Sequence, residues 1–380
     1  MNKQRCLLLA LVALAIVLGA ARWSSPGPAT PALPADRAIA ALSAQHDAAG
    51  FARALAPRNF VFPRDHASHD NFRSEWWYFT GHLRDVKQRP WGFQLTLFRF
   101  EMSADKTPST SKWRTPQVLL GHFALTDIEG RQFHAFERMS RALPTIAGTS
   151  ITPPAVWLDD WRIEQQGEHG WHLRARQDGV EIELELAAAS AVVLQGEAGL
   201  SRKSSAAGNA SYYYSLPRLA ARGHIRLADG QHTVDGLAWL DREWSTSALS
   251  REQAGWDWFA VQLDDGGSLM FYRLRQRDAA SDAFSAGTYV DAGGVQHALG
   301  AADVAIEVLG SWRSAKTGRI YPQGWRLRVA RKGLDLTLTP RLADQEWRAR
   351  FQYWEGAVTV SQASRPAGLG YVELTGYQPR

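Results

Sequence analysis

Two carboxylate side chains lie two positions apart in a run that is typical of an extended strand. In the run from Leu237 to Trp244, side chains alternate, which places Trp239, Asp241 and Glu243 on one face. Burial against an indole raises the pKa of a carboxyl group, so such a group can deliver a proton near neutral pH. General acid catalysis is therefore one prediction for this pair. The alternative is an ion pair with a nearby arginine, for which the candidates are Arg242, Arg273 and Arg275.

A second carboxylate is embedded in an aromatic run. Trp256 and Trp258 share one face of an extended segment, and Asp257 lies on the other face with Phe259. A charge inside an otherwise apolar strand must be paired or functional. Glu75 poses the same alternative, because three aromatic residues follow it directly: Trp76, Trp77 and Tyr78.

Other residue types that carry chemistry are sparse. His66, His69 and His82 fall close together in the sequence, but without a helix to align them their spacing does not define a metal site, and we predict none. The chain has no Gly-x-Ser-x-Gly elbow, His-Glu-x-x-His run or phosphate-binding glycine loop, so no cofactor is predicted. The single cysteine, Cys6, excludes an intramolecular disulfide.

The elements that must position these residues are predicted to be β-strands. The chain contains 16 Trp and 32 Gly, and short apolar runs bounded by turn residues recur from residue 75 onward. No helical pattern separates these runs, which favours antiparallel barrels or sandwiches. Thirteen runs are predicted as strands: Glu75–Leu83, Trp91–Phe100, Val118–Thr126, Trp171–Ala175, Val180–Leu186, His224–Leu227, Leu237–Trp244, Trp256–Leu263, Leu269–Leu274, Trp325–Val329, Leu334–Leu338, Trp354–Val360 and Tyr371–Leu374.

A length of 380 residues predicts about two domains. Glu75-Trp76-Trp77 followed by Phe93-Gln94-Leu95 resembles Glu243-Trp244 followed by Val261-Gln262-Leu263, which suggests two copies of one architecture. The segment 201–218 is rich in turn residues, so we place the boundary there, with one domain at 60–219 and the other at 220–380. Residues 22–59 are interpreted as a Pro- and Ala-rich linker with short helices.

The N-terminus has the pattern of an export signal. Lys3 and Arg5 precede an apolar or small run from Leu7 to Ala21, with small residues at a plausible cleavage position. Residues 1–21 are therefore predicted to be a signal peptide, with an uncleaved membrane anchor as the alternative. The net charge is +5, but the basic residues are scattered instead of forming a stripe, so nucleic acid is not an expected partner.

Several segments together resemble the carotenoid 1,2-hydratase / AttH-type lipocalin-like family, whose members are often described as secreted hydrolases. The resemblance spans roughly residues 60 to 377 and is carried in order by Ser74–Leu83, Gly92–Arg99, Ser211–Ser215, Trp239–Ser245, Gly255–Phe259 and Gly370–Tyr377. It implies an all-β fold of two lipocalin-like (calycin-type) antiparallel β-barrel domains after a short helical N-terminal lead. It also implies a periplasmic or secreted location, or one anchored to the membrane, and work beside ABC transporter components of the lipoprotein-release kind.

The hydratase branch of this family adds water across a terminal double bond of an acyclic carotenoid. Such a reaction needs an acid to protonate the alkene, aromatic faces to stabilise the cation and a base to guide water. Asp241, Glu243 and Trp244 match the family motif by position. This chain carries Arg242 where the hydratase branch has histidine, and arginine stays protonated, which puts carotenoid hydration itself in doubt.

Three functions stay open from the sequence. The first is binding of a lipid or isoprenoid-like apolar ligand inside a barrel, with hydratase or hydrolase chemistry at three catalytic residues: Asp241, Glu243 and Asp257. The second is a non-catalytic lipid carrier or accessory factor for an ABC-type lipoprotein or lipid export system. A purely structural envelope protein, with filled barrels, is a third interpretation. The predicted ligand contacts are Glu75, Trp76, Trp77, Tyr78, Trp239, Trp244, Trp256, Trp258 and Tyr272.

Overall fold

The computed structural model describes residues 49–105, 115–247, 249–250, 252–278 and 280–378, and strands dominate this part of the chain. Its helical content is limited to two single 3-10 turns, Arg64–His66 and Ala330–Lys332. Within the same residues, no helix has the length and apolar character needed to cross a membrane. All thirteen predicted strands are confirmed, since each predicted run lies inside an observed strand.

The first sheet contains the strands up to residue 245. Its strands follow the order β4-β3-β2-β1-β13-β12-β9-β8-β7-β6-β5, with β10 and β11 beside β12, and this antiparallel sheet curls into a nearly closed barrel. The strands are β1 (Ser74–Asp85), β2 (Pro90–Glu101), β3 (Gln117–Asp127), β4 (Gln132–Arg141), β5 (Ala147–Ile151), β6 (Pro154–Leu158), β7 (Trp161–Gln166), β8 (Gly170–Gln177), β9 (Val180–Ala188), β10 (Val193–Leu194), β11 (Leu200–Arg202), β12 (Ala210–Leu227) and β13 (Gly230–Ser245).

The second sheet is also antiparallel and begins at residue 253. Its order is β17-β16-β15-β14-β25-β24-β22-β21-β18, with β23 beside β24, and β19 and β20 form a separate hairpin. The strands are β14 (Gln253–Leu263), β15 (Ser268–Gln276), β16 (Ala286–Val290), β17 (Gln296–Gly300), β18 (Ala305–Val308), β19 (Ser311–Arg313), β20 (Ile320–Pro322), β21 (Trp325–Val329), β22 (Leu334–Pro340), β23 (Glu346–Arg348), β24 (Gln352–Gln362) and β25 (Arg365–Leu374).

Each sheet encloses its own apolar core. Alternation along the strands sends every second side chain inward, where Trp77, Phe79 and Leu240 pack in the first core and Phe259 and Trp354 in the second. The opposite faces of the central strands are also apolar and aromatic, and they pack against each other in a third cluster. Both faces of these strands are therefore buried, which explains their nearly continuous hydrophobic runs.

The predicted domain boundary and repeat need correction. The boundary at 219/220 falls in the middle of β12, and the change of sheet occurs between Ser245 and Gln253. Glu243 and Trp244 belong to the first sheet, where they pair with Trp76 and Glu75 of β1. They are neighbours of the first motif and not its counterpart in the second domain. The turn-rich segment 201–218, where we placed the boundary, lies mostly in β11 and β12, and the three tyrosines of β12 are buried.

The short helices predicted within residues 22–59 are not found in the described part of that segment. Residues 22–48 lie outside the described residues, and residues 49–59 form turns and extended backbone. Residues 52 to 72 pack instead over β12 and β13, where Phe60, Phe72 and Ala54 join a cluster around Tyr214 and Trp244. The segment covers this part of the barrel through apolar contact, which needs no helix.

A buried ion cluster joins this segment to the first barrel. The Glu75 carboxylate accepts hydrogen bonds from Arg99 Nε, from Arg242 Nη2 at 2.7 Å and from the His69 backbone N–H at 3.0 Å. Burial alone would raise the pKa of Glu75, but Arg99 and Arg242 outweigh it and hold that pKa well below its ordinary value. Arg242 also bonds the Ala67 carbonyl at 2.6 Å and lies 3.7 Å over the Trp77 ring. The charged groups of Glu75, Arg99 and Arg242 therefore all have hydrogen-bond partners, and their role is to stabilise the fold.

Replacing Arg242 with methionine is expected to destabilise the protein by about 3–5 kcal/mol, because it leaves the Glu75 carboxylate buried with one partner fewer. Urea unfolding measures this loss. The matched control is Arg326→Met, which removes a partly exposed partner of Asp335 and should cost less than about 1 kcal/mol. Equal losses for the two variants would contradict the structural role of the cluster.

Candidate active site

A cavity of about 240 Å³ lies between the two sheets and not inside either barrel. It is formed by the outward faces of β1, β2, β3, β12 and β13 on one side and of β14, β15, β24 and β25 on the other. Its walls are mainly aromatic and apolar: Trp76, Tyr78, Phe98, Phe100, Leu120, Tyr213, Leu249, Trp256, Trp258, Tyr272, Leu274, Phe351 and Tyr353. The sequence predicted a ligand site inside a barrel, whereas this cavity lies between the sheets, and the inner face of each sheet is packed by its own core.

Strand register places polar side chains in two rows that face this space. In an antiparallel sheet, residues directly opposite one another share a face, so a row runs across the strands. The first sheet contributes the row Ser215, Asp241, Tyr78, Thr96, His122 and Glu137. The second sheet contributes the row Tyr272, Trp258, Glu373 and Glu355.

Asp241 is the polar centre of the first wall. Its Oδ1 accepts hydrogen bonds from Ser215 Oγ at 2.5 Å and from Trp239 Nε1 at 2.7 Å, and its Oδ2 accepts one from the Tyr213 hydroxyl. Burial raises the pKa of Asp241 to about 6, although the three donors oppose the shift. The Asp241 side chain is thus held in place by three hydrogen bonds, and its pKa lies close to neutral pH.

Glu243 differs from Asp241 because it has a cationic partner. Lys203 Nζ lies 3.1 Å from Glu243 Oε1 and 4.1 Å from the centre of the Tyr272 ring. Although burial lowers the pKa of Lys203, Glu243 and Tyr272 raise it above its ordinary value. The ammonium group stays charged, and the pair presents a nearly neutral polar edge to the cavity.

A pair of glutamates forms the polar centre of the second wall. Glu355 and Glu373 are directly opposite on β24 and β25, and both are buried. Glu355 Oε1 accepts a hydrogen bond from the Tyr78 hydroxyl at 2.5 Å, and Glu373 Oε1 accepts one from Trp256 Nε1 at 3.1 Å. Burial raises the pKa of Glu355 to about 8, and burial together with Glu355 raises the pKa of Glu373 well above its ordinary value. The pair therefore holds protons at neutral pH.

The structure brings most of the predicted site residues together. Those that line the cavity are Trp76, Tyr78, Asp241, Glu243, Trp256, Trp258 and Tyr272. Trp239 supports the site from behind, since it donates to Asp241 and packs edge-on against Trp258. Neither carboxylate on β13 pairs with the arginines considered as alternatives, because those arginines bind Glu75 and Asp257.

Four predicted site residues point away from the cavity, because they occupy the alternate positions of the same strands. They are Glu75, Trp77, Trp244 and Asp257. Asp257 is completely buried and is bound by Arg273 Nη2, by Arg275 Nε at 2.9 Å and by the Tyr377 hydroxyl at 3.0 Å. The prediction that Asp257 is catalytic is not supported by this geometry; Asp257 is the ionic anchor of its own sheet.

The three histidines considered for metal binding have separate partners. His66 Nδ1 lies 2.5 Å from the Tyr214 hydroxyl, His69 lies between Asp65 and Glu75, and His82 contacts the Gly370 carbonyl at 2.8 Å. Elsewhere, Glu181, Glu183 and His224 place ligand atoms within 4.8 Å of one another on the outside of the first sheet. Salt bridges to Arg226 and His172 account for these two glutamates, so this group resembles a surface ion-pair ladder.

These features define a class of protein: an all-β protein of lipocalin-like type in which two sheets enclose an aromatic cavity with opposed carboxyl groups. The AttH-like family model matches residues 53–377, and the chain belongs to this family. A crystal structure described as an AttH protein of Nitrosomonas europaea is similar, with 34% identity, a TM-score of 0.76 and coverage of 86% of this chain and 100% of that chain.

A second solved structure has a similar fold at lower identity. It is kievitone hydratase from Nectria haematococca, with 15% identity, a TM-score of 0.63 and coverage of 87% of this chain and 97% of that chain. This likeness shows the fold alone. A comparison with curated proteins gives no match.

Sequence reasoning missed several polar groups in the walls of the cavity and directly behind them. Glu373 and Tyr213 lie within segments that carried the family resemblance, yet a single carboxylate in a strand gives no signal until its partner strand is known. The residues that the sequence did not single out are Lys203, Tyr213, Ser215, His122, Tyr353, Glu355 and Glu373. A search for buried polar residues in apolar strands would have found Glu355, which is flanked by Trp354 and Gly356.

The raised pKa of Glu355 predicts a pH-dependent stability. Between its ordinary value of 4.5 and about 8, the folded protein retains a proton that the unfolded chain has lost. The free energy of unfolding should therefore fall as pH rises through this window and level off above it. Glu355→Gln, which cannot ionise, should show a shallower decline in urea unfolding across the same window. Glu307→Gln, at an exposed site, should keep the wild-type slope, and equal slopes for all three proteins would refute the assignment.

Proposed function

We propose that this protein adds water to a carbon–carbon double bond of an apolar ligand held between the two sheets. The observation that supports this most directly is the protonated Glu355–Glu373 pair, whose Glu373 lines the same aromatic cavity as the ionisable Asp241. Titratable groups whose environments push their pKa values apart are the usual basis of paired acid and base roles. The similar fold of kievitone hydratase, which is named as a hydratase, agrees with this proposal.

Glu373 is the group best suited to protonate the alkene. It lines the cavity, its pKa is raised well above the ordinary value by burial and by Glu355, and Trp256 Nε1 donates to its Oε1. That hydrogen bond leaves Oε2 to carry the acidic proton. Transfer of the proton to one alkene carbon forms a C–H bond with the π electrons and leaves a carbocation on the other carbon, while Glu373 becomes a carboxylate.

Aromatic faces and fixed negative charge stabilise the cation. Trp76, Trp256 and Trp258 line the space, and aromatic rings attract a positive charge through their quadrupoles. The carboxylates of Glu373 and Asp241 add Coulombic stabilisation in a site from which most water is excluded. This environment favours an alkene that is substituted enough to form a tertiary cation, as in an isoprenoid.

Asp241 is the group best suited to activate water. With a pKa of about 6 it is mostly ionised at neutral pH, and its three hydrogen-bond donors fix its position. The water oxygen forms the new C–O bond, and one water proton passes to the Asp241 carboxylate. The product is an alcohol, and one proton has moved from Glu373 to Asp241 in the process.

The shape of the cavity favours a long ligand that enters end-on. The volume of about 240 Å³ lies just below the range of about 300–1,000 Å³ that is common for small-molecule pockets. Trp76, Phe98, Leu249 and Trp256 are half-buried and form an apolar opening. A chain of lipid or isoprenoid type can place its reactive end inside while the remainder lies along this opening.

Export is proposed from the sequence alone, since the run from Leu7 to Ala21 lies outside the described residues. After expression and cell fractionation, we expect the periplasmic fraction to contain a mature protein whose N-terminus lies just after Ala20 or Ala21. Full-length protein in the membrane fraction would favour the anchor, and full-length protein in the cytoplasm would refute export.

The hydratase proposal is tested with squalene and lycopene as probes in ¹⁸O-labelled water. Wild-type protein is expected to produce an alcohol that carries one labelled oxygen, detected by mass spectrometry. Glu373→Gln and Asp241→Asn should each lower turnover by about 100-fold or more, because each removes a proton-transfer group. Binding of the probe, measured by quenching of tryptophan fluorescence, should remain. Glu183→Gln, on the outside of the first sheet, should retain activity.

The same measurement separates the alternative functions. Binding of a probe by wild-type protein without any alcohol would contradict the hydratase and favour a carrier that passes an apolar ligand to an ABC-type export system. Equal turnover in Glu373→Gln and wild type would keep hydration but refute Glu373 as the acid.

A further inference from the structure

A line of polar side chains runs from the surface of the first sheet to the glutamate pair. It begins at Glu137 on β4, whose side chain is partly accessible at 9% and lies 3.6 Å from the exposed Arg350. Glu137 is directly opposite His122 on β3, and Glu137 Oε2 lies 3.4 Å from His122 Nε2. A carboxylate at this distance can exchange a proton with the imidazole after a small movement.

His122 connects this surface group to the second sheet. Its other ring nitrogen, Nδ1, is 2.8 Å from the hydroxyl of Tyr353 on β24. The imidazole is held by aromatic rings, with Trp347 at 4.6 Å and Phe98 at 5.3 Å between centroids. The imidazole is therefore hydrogen-bonded through Nδ1, while Nε2 makes no hydrogen bond among the described residues and faces the Glu137 carboxylate, so a small movement of either side chain would give both nitrogens the partners of a proton shuttle.

Tyr353 completes the path to the glutamates. Its side chain interacts with Glu355, which is two positions further along the same face of β24. Glu355 Oε1 accepts the hydrogen bond from Tyr78, and Glu355 Oε2 is buried and makes no hydrogen bond among the described residues, so Oε2 can accept a proton from Tyr353 once the glutamate pair has lost one. Glu355 then lies directly opposite Glu373, the group that faces the ligand.

The proposed reaction creates a need for such a path. Each hydration moves one proton from Glu373 to Asp241, so Glu373 must regain a proton and Asp241 must lose one before the next turnover. Ligand in an aromatic cavity blocks the opening through which water would restore Glu373. A route through side chains of the cavity wall can deliver a proton to Glu373 without water at the opening.

We propose that Glu137, His122 and Tyr353 form a proton relay that recharges the Glu355–Glu373 pair from solvent. A proton enters at Glu137, passes to His122 Nε2 while Nδ1 releases its own proton to Tyr353, and Tyr353 hands its hydroxyl proton to Glu355, which shares it with Glu373. An equal proton leaves Asp241 for solvent, so the cycle is balanced. The purpose of the relay rests on the proposed hydratase function, but its existence does not.

The relay is tested first without any ligand. Infrared spectroscopy follows the carbonyl band of the protonated glutamates after transfer of the protein into D₂O, with Glu355→Gln used to assign the band. Tyr353→Phe is expected to keep the band but to slow its isotope shift by about 100-fold, the low end of the contribution of one proton-transfer group. His122→Ala should slow the isotope shift to a similar extent, and added imidazole should restore the rate.

Tyr321→Phe is the matched control, because it removes another buried tyrosine hydroxyl that bonds a glutamate, Glu346, at 3.1 Å in the second sheet. It should leave the exchange rate unchanged. Fast exchange in Tyr353→Phe, or slowing of the same size in Tyr321→Phe, would overturn the relay.

Turnover with squalene in labelled water then separates the two proposals. With protein in excess, Tyr353→Phe should still form product in a single turnover, because Glu373 starts with its proton, and the ratio of the repeated-turnover rate to the single-turnover rate should fall below that of wild type in parallel with the isotope exchange. Wild-type protein that forms no product even in a single turnover would refute the hydratase and leave the exchange result standing. Equal single and repeated rates in Tyr353→Phe would overturn the role of the relay in recharging Glu373.

Discussion

The packing of two already filled sheets against each other is the constraint on which the cavity depends. Each sheet buries an apolar core on its inner face, so contact between the sheets uses the outer faces of their central strands. A strand that is buried on both faces can place a structural side chain and a chemical side chain at adjacent positions. On β13 this division is visible at Asp241, which faces the cavity, and Arg242, which binds Glu75 on the other side.

Electrostatics follows from this division. On the inner side of β1 and β13, Glu75 meets two arginines, so the carboxylate stays ionised and serves stability. Between the sheets, Asp241, Glu243 and Glu373 line a space in which Lys203 is the cation among the lining residues, with Glu355 directly opposite Glu373, and Lys203 is matched to Glu243. The remaining carboxyl groups lack a counter-charge there, so burial sets their proton affinity. A glutamate thus stays ionised and stabilises the fold when it faces arginines on the inner face of its sheet, and it holds a proton when it lies between the sheets.

The strands and their faces were predictable from the sequence, whereas the assembly of those faces was not. Alternation placed Trp239, Asp241 and Glu243 together and separated Asp257 from Trp256 and Trp258, and both groupings are confirmed. Alternation cannot tell which face meets another sheet, so Glu75 and Asp257 were assigned to the site, although arginines of the neighbouring strands β2 and β15 bind them on the opposite face. Glu355 and Glu373 form a pair only because β24 and β25 are in register, which is a property of the fold. The domain boundary was wrong for a related reason, since the polar segment before β12 precedes a strand that returns to the first sheet.

The substitution of arginine for histidine at position 242 has a different meaning once the fold is known. In the sequence, Arg242 lay between two candidate carboxylates, so its permanent charge counted against water activation at that point. In the structure its guanidinium is on the opposite face from Asp241 and is saturated by Glu75 and by backbone carbonyls. An arginine there fixes the segment around Ala67 onto the barrel, and it neither donates nor withholds a proton in the cavity. The capacity of the cavity for acid–base chemistry is therefore decided by Asp241, Glu355 and Glu373, and Arg242 bears on the rigidity of the wall that carries Asp241.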